Sequence, residues 1–194
     1  MEQTVFNPAQ MKILQMMSYI KTPQELDNLE NVLSRYFAKK VDEGIDELCD
    51  NGSITLDTNC LLMSLPRISP YRKIWDDFLK GKLTLCVTNE IIEEYLEIIE
   101  QKTNANIASN VVSVILSQKN VEFVTPYYKL HLIYADEDDN KFVDCAFSAG
   151  ASCIVSNDAH FIILNEVEFP RIFVVNIKDF VELLLRNQGN NHLN

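Results

Sequence analysis

The chain has 194 residues, of which 47% are hydrophobic and 23% are charged. This composition is typical of one globular domain with a short appendage and excludes a disordered chain. The net charge of −11 argues against sequence-blind tight binding of nucleic acid, which depends on Lys and Arg. Five cysteines without a C-x-x-C pair indicate neither a disulfide framework nor a zinc cage. With no apolar run of membrane-spanning length and no signal-peptide pattern, we expect a cytoplasmic protein without a membrane partner.

The first fifty residues contain no strand-like run and predict a helical arm. Helix-start signals stand at Asn7-Pro8 and at Thr22-Pro23, where Glu25 completes a reciprocal cap. Apolar residues recur every three or four positions from Leu26 to Leu48, and Asn51-Gly52 ends the pattern. One apolar stripe needs a partner surface, so we expect the arm to pack on its own domain, in a homodimer or on a specific client.

From residue 53 onward, short β-like runs alternate with helical stretches. This order predicts an α/β fold in which a parallel sheet carries helices on both faces. We therefore divide the chain into an arm, residues 1–52, and an α/β domain, residues 53–194. The predicted strands cover residues 54–56, 83–87, 121–124, 153–155 and 172–175, and the predicted helices cover residues 71–80, 89–101, 104–118, 140–150 and 159–166.

Four acidic residues fall where such a fold would bring side chains together. Asp57 and Asp158 close strand-like runs, Glu94 lies on a helix, and Asp139 opens one. The carboxyl ends of parallel strands share one rim, and carboxylates gathered there repel each other unless divalent cations neutralise them. The pattern therefore favours metal-assisted phosphodiester hydrolysis. Each acid also has an ordinary explanation as a helix cap, a solvated helix residue or part of an acidic helix start.

Other α/β enzyme classes lack their motifs here. With five glycines, the chain has neither G-x-G-x-x-G nor a phosphate-binding G-x-x-x-x-G-K-[ST] loop. An aspartyl-phosphate enzyme would want a second Asp where Asn59 stands. His160, two residues after Asp158, is a candidate to border the site, but without a matched Ser or Cys motif it is not predicted to be catalytic. The basic residues Arg67, Arg72 and Lys73 follow the first strand and are candidates for contact with RNA phosphates, or else form an ordinary solvated face.

With these residues in view, residues 53–180 resemble a PIN domain, the family that includes VapC-type toxin ribonucleases. The resemblance rests on short motifs at residues 56–59, 88–95, 136–146 and 154–158. It implies an endoribonuclease that uses Mg²⁺ or Mn²⁺. It further implies that Asp57, Glu94, Asp139 and Asp158 are the catalytic metal ligands, and that Asn59 and Thr88 help to orient the site.

Residues 1–50 resemble the small helical antitoxins that accompany such toxins. The matching segments are residues 6–10, 17–19, 21–23 and 36–40. The chain departs from that pattern because the first strand follows the arm with hardly any linker. The resemblance implies an antitoxin-like segment in cis, or a separate antitoxin, as a partner. Inhibition in cis, inhibition in trans and no inhibition all stay open.

The sequence thus predicts a metal-dependent ribonuclease with an N-terminal arm that modulates it. The alternative is a non-catalytic interaction module whose arm mediates self-association, which the fusion and the lack of a broad basic surface favour. The two differ in what removal of the arm should do: release activity in the first case, or reduce the size of the particle in the second.

Overall fold

The structure, a computed structural model, describes residues 12, 17–26, 28–29, 32, 52–167 and 170–190. From residue 52 onward the described chain alternates strands with helices, as the sequence predicts. The elements are β1 (Gly52–Leu56), α1 (Thr58–Ser64), α2 (Arg72–Leu79), β2 (Leu83–Val87), α3 (Asn89–Lys102), α4 (Ala105–Ser117), β3 (Val121–Phe123), a first 3₁₀ helix (Glu137–Asp139), α5 (Asn140–Ala149), β4 (Cys153–Val155), a second 3₁₀ helix (Ala159–Glu166), β5 (Val174–Val175) and α6 (Ile177–Asn190).

The five strands form one sheet in the order β3-β2-β1-β4-β5, and every neighbouring pair is parallel. Ile54 of β1 is in register with Leu85 of β2 on one side and with Cys153 of β4 on the other. The three central strands are buried, which explains their nearly continuous apolar sequences. The predicted parallel sheet and all five predicted strands are confirmed.

Alternating residues of β1 face two helical layers. Ile54 and Leu56 lie beside Trp75 and Phe78 of α2, while the intervening Thr55 donates a hydrogen bond to Cys145 Sγ of α5 at 3.8 Å. Helices therefore cover both faces of the sheet, and the core lies on each side of it. The carboxyl ends of β1 and β4, which are neighbours, emerge together at one rim.

Two helices were missed by the sequence analysis, and one stretch differs in type. Neither α1 nor α6 was predicted, although Asn176 marks the start of α6: its Oδ1 accepts a hydrogen bond from Asp179 N at 2.9 Å. Residues 159–166 are helical as expected, but they form a 3₁₀ helix rather than an α-helix. Elsewhere the predicted helix ends agree with the structure to within one residue.

Only part of the N-terminal arm is described. Residues 23–26 are helical, and Thr22 and Glu25 form the predicted reciprocal cap: Glu25 N donates to Thr22 Oγ1 at 3.2 Å, and Thr22 N donates to Glu25 Oε2 at 3.0 Å. The predicted helix start at Asn7 and the apolar stripe beyond residue 32 lie outside the described residues. No helix in the described part of the chain is both long enough and apolar enough to cross a membrane.

Candidate metal-binding active site

Asp57 lies at the centre of the rim, directly after β1. Its side chain is only 6% exposed, and its backbone N–H donates to the Val155 carbonyl of β4 at 3.0 Å. Its two carboxylate oxygens accept hydrogen bonds from Asn59 N at 3.0 Å and from Ser156 Oγ at 2.6 Å. The bond from Asn59 makes Asp57 the cap of α1. The capping role is thus real, and it fixes the carboxylate at the rim.

Asp158 reaches the same rim from β4. Its backbone N–H donates to Ser156 Oγ at 3.0 Å, so one hydroxyl joins Asp158 to Asp57. The Asp158 carboxylate accepts a hydrogen bond from His160 N at 2.8 Å and thereby caps the second 3₁₀ helix. Ser156 is therefore a linking residue that the sequence analysis did not single out, although it lies within the motif at residues 154–158.

Glu94 is the one acid on α3 that turns toward this rim. It is partly buried, whereas the other glutamates of the helix are exposed. Its Oε1 accepts a hydrogen bond from Thr58 Oγ1 at 2.5 Å, and its Oε2 pairs with Lys141 Nζ at 2.5 Å. Neither Thr58 nor Lys141 was named as a site residue, because a contact between distant segments leaves no local sequence signal.

The position of α3 is fixed at two points. Thr88 caps its first turn by accepting a hydrogen bond from Ile91 N at 3.2 Å. The hydroxyl of the fully buried Tyr95 donates to the carbonyl of Leu56, the residue before Asp57. Thr88 therefore supports the site through the helix, and the described contacts of Thr88 do not include one with the four acids.

Asp139 and His160 lie next to Asp158. Asp139 Oδ2 lies 3.1 Å from His160 Nδ1, and the same nitrogen lies 3.4 Å from Asp158 Oδ1. The ligand atoms of Asp136, Asp139 and His160 all lie within 4.8 Å of one another, so these residues are a group that can hold a metal ion. His160 thus lies against two of the four predicted acids, Asp139 and Asp158.

Neighbouring acids act electrostatically on Asp57 and on Asp139. Burial raises the pKa of Asp57, and the charges of Glu94 and Asp158 raise it further, against the hydrogen bonds from Ser156 and Asn59. Burial also raises the pKa of Asp139, as do the charges of Asp158 and Asp57. The hydrogen bond that His160 Nδ1 donates to the Asp139 carboxylate raises the pKa of His160. Asp57 and Asp139, whose ionisation is disfavoured in this way, have carboxylate oxygens of the kind that suit a hard divalent cation.

The other predicted residues lie around this centre with different roles. Asn59 has an exposed side chain and contributes its backbone N–H to Asp57. Arg67 is exposed, whereas Arg72 pairs with Asp76 at 2.8 Å, and Lys73, 15% exposed, pairs with Asp77 at 2.6 Å. The charges of Arg72 and Lys73 are thus balanced within α2. Contact of these three basic residues with RNA stays a prediction.

The family model of the PIN domain matches residues 53–160, which contain all four acids. The chain belongs to the PIN domain family. A second model, of a family of unknown function, matches residues 1–60, so the arm and the PIN domain match separate families that overlap at β1.

Among solved structures, this chain resembles one chain of a crystal structure of VapBC2 from Rickettsia felis, which is bound to a DNA fragment from the VapBC2 promoter. The two are 14% identical, with a TM-score of 0.46, and the match covers 64% of this chain and 98% of that one. No curated protein matches the sequence.

Proposed function

We propose that this PIN domain is a metal-dependent endoribonuclease. The observation that carries the proposal joins acids that lie far apart in the sequence: burial and the charges of Glu94 and Asp158 raise the pKa of Asp57, and burial and the charges of Asp136, Asp158 and Asp57 raise the pKa of Asp139. Carboxylates perturbed by burial and by neighbouring acids are typical of functional sites. Membership of the PIN family supports a nuclease as the function.

The four predicted acids are the residues that would hold Mg²⁺ or Mn²⁺. When bound, such an ion would lower the pKa of water and stabilise negative charge on the phosphate. The chain's own contribution is to fix the ligands. Ser156 holds Asp57 and Asp158 together, and Thr58 holds Glu94. Because these contacts pre-position the carboxylates, little reorganisation is needed when substrate arrives.

Three exposed tyrosines support RNA with unpaired bases as the substrate. Tyr127, Tyr128 and Tyr134 are 81%, 67% and 84% exposed in the loop that leads from β3 to the first 3₁₀ helix. Asn140 anchors this loop by accepting from Ile133 N at 3.0 Å and donating to Ile133 O at 2.7 Å. Exposed tyrosine rings on a loop that leads to Asp139 are suited to stack on unpaired bases.

The arm is proposed to act as an antitoxin-like modulator of the PIN domain. One observation supports a separate role for residues 1–52: a family model of their own, distinct from that of the PIN domain, matches residues 1–60. A tether as short as this one gives a high effective concentration wherever its geometry allows contact. A separate antitoxin, a homodimer and the cytoplasmic location stay predictions.

The test is cleavage of a panel of single-stranded, hairpin and duplex RNAs by the full chain and by a chain that starts at Ser53. We expect cleavage in unpaired segments with Mg²⁺ or Mn²⁺ and none with a chelator. A faster truncated chain would support inhibition by the arm. If a folded truncated chain cleaves no RNA with either ion, the interaction-module alternative replaces the nuclease proposal, and the mass of the particle with and without the arm then tests it.

A further inference from the structure

The acid site contains a basic residue of its own, Lys141. Its Nζ lies 2.5 Å from Glu94 Oε2, and the two side chains are only 18% and 23% exposed. The other oxygen of Glu94 accepts the hydrogen bond from Thr58. Both oxygens of this carboxylate are therefore engaged, one by a full positive charge and one by a hydroxyl.

The fold holds Lys141 in this position. It lies in the first turn of α5, two residues after Asp139, so the segment that supplies an acid to the site also supplies a cation. The ammonium lies 5.9 Å from the centre of the Phe142 ring, within the range of a cation–π contact. Within the described residues, no other Lys or Arg forms an ion pair with any of the four acids.

The charge of the site affects how strongly it attracts divalent cations. Lys141 places one positive charge beside Glu94, at a group of acids that also includes Asp136 next to Asp139. A fixed ammonium on Glu94 therefore competes directly with a second ion for the same carboxylate.

We propose that Lys141 is a resident cation that takes the place of a second divalent ion. This inference rests on the proposed metal-dependent function. Lys141 holds Glu94 and neutralises it, so the chain binds one divalent ion in the absence of RNA. It is a positioning residue, since it acts through Glu94 and through the charge of the site. An ammonium can do this permanently, whereas a second ion would have to bind from solution.

The test measures Mn²⁺ binding by calorimetry on the full-length chain and on Lys141→Met and Lys141→Arg. We expect one ion for the wild type and for Lys141→Arg. In Lys141→Met, removal of the positive charge should tighten binding of the first ion by roughly tenfold and allow a second to bind. RNA cleavage should fall in Lys141→Met and recover in part in Lys141→Arg, because only the latter keeps a charge on Glu94.

Two controls separate this effect from general damage. Arg186→Met removes an equal charge from the exposed Arg186–Glu182 pair on α6, outside the acid group, and should leave Mn²⁺ binding unchanged. Lys141→Gln serves as a second neutral variant if Lys141→Met fails to fold, as judged by circular dichroism. Tighter binding is informative because a merely destabilised site would bind Mn²⁺ more weakly.

The outcomes are distinguishable. A wild-type chain that binds two Mn²⁺ ions, or a folded neutral variant that binds one ion with unchanged affinity, overturns the role of Lys141 and leaves the nuclease proposal standing. A wild-type chain that binds no divalent ion overturns both.

Discussion

Replacing Asp57 by Asn should stabilise the protein when metal is absent. The two side chains have nearly the same shape, and the Asn carbonyl oxygen can still accept the hydrogen bond from Asn59 N. What disappears is a negative charge in a side chain that is 6% exposed, close enough to Glu94 and Asp158 to be repelled by both. A substitution at a functional site that raises stability is the expected sign of a carboxylate kept for its chemistry.

The direction follows from the pKa of Asp57. Burial and the neighbouring acids raise it, and together they outweigh the hydrogen bonds from Ser156 and Asn59. A folded-state pKa above the unfolded value means that the stability contribution is present at low pH and is lost as the pH rises through the folded pKa. At pH 7 the ionised Asp57 therefore destabilises the metal-free protein. We expect Asp57→Asn to gain about 1 kcal/mol, the usual scale of a single substitution, or about 3 °C in Tm.

Bound metal should instead make the wild type more stable than Asp57→Asn. At an ion concentration of ten times Kd, binding stabilises the wild type by about 1.4 kcal/mol. Asp57→Asn, having lost a ligand charge, should gain much less. The stability difference between the two metal-free proteins should also shrink as the pH falls toward about 4, the ordinary pKa of Asp, where Asp57 is protonated.

The assay is thermal unfolding of the wild type and Asp57→Asn with a chelator and with Mn²⁺, at pH 7 and at lower pH. Asp77→Asn is a matched control, since Asp77 is 4% exposed but pairs with Lys73. That substitution should lower stability because Lys73 loses its counter-charge, and it should leave the Mn²⁺ effect intact. A metal-free Asp57→Asn that is less stable than the wild type at pH 7, or that gains as much from Mn²⁺, would refute the reasoning.

Three further predictions concern the framework of the site. Tyr95→Phe should cost about 1 kcal/mol by chemical denaturation, since the Leu56 carbonyl loses its donor; an unchanged midpoint would contradict this role. Asn140→Ala should lower the free energy of unfolding by roughly 2 kcal/mol, because Ile133 loses partners for both its N–H and its C=O. Limited proteolysis should then cut the tyrosine-bearing loop faster. Equal cleavage rates in the variant and the wild type would show that other contacts hold the loop. Burial raises the pKa of four cysteine thiols, Cys60, Cys86, Cys145 and Cys153, to about 12. A thiol reagent at pH 8 should therefore label at most one thiol of the native chain and all five after unfolding. Labelling of more than one thiol in the native chain would contradict the burial of these four.

The sheet was predictable because each of its strands has a local sequence signal. Each of the three central strands is an apolar run that is buried on both faces, and the helical stretches between them fix the parallel order. The short helix α1 was not predicted, although a helix cap was one explanation for Asp57, because the hydrogen bond from Asn59 N that makes Asp57 a cap is visible only in the structure. The helix α6 has the local signals of a helix, an Asn176 cap and apolar spacing, and was predictable from the sequence.

The site was predictable in its acids but not in their partners. The positions of Asp57 and Asp158 follow from strand ends that share a rim, which is a property of any parallel sheet. The contacts of Glu94 with Thr58 and Lys141 join segments that are 36 and 47 positions away in the sequence, and no local pattern encodes them. A single sequence therefore identifies candidate ligands more readily than the residues that hold them in place.

The four acids Asp57, Glu94, Asp139 and Asp158 are proposed to form the metal site of a ribonuclease. The most direct measurement is the single-turnover cleavage rate of a labelled single-stranded RNA with Mn²⁺, compared among the wild type, Asp57→Asn and Asp77→Asn. We expect cleavage by the wild type and by Asp77→Asn, none with a chelator, and loss of cleavage in a fully folded Asp57→Asn. Equal cleavage by the wild type and Asp57→Asn, or cleavage that persists in the chelator, would contradict this assignment.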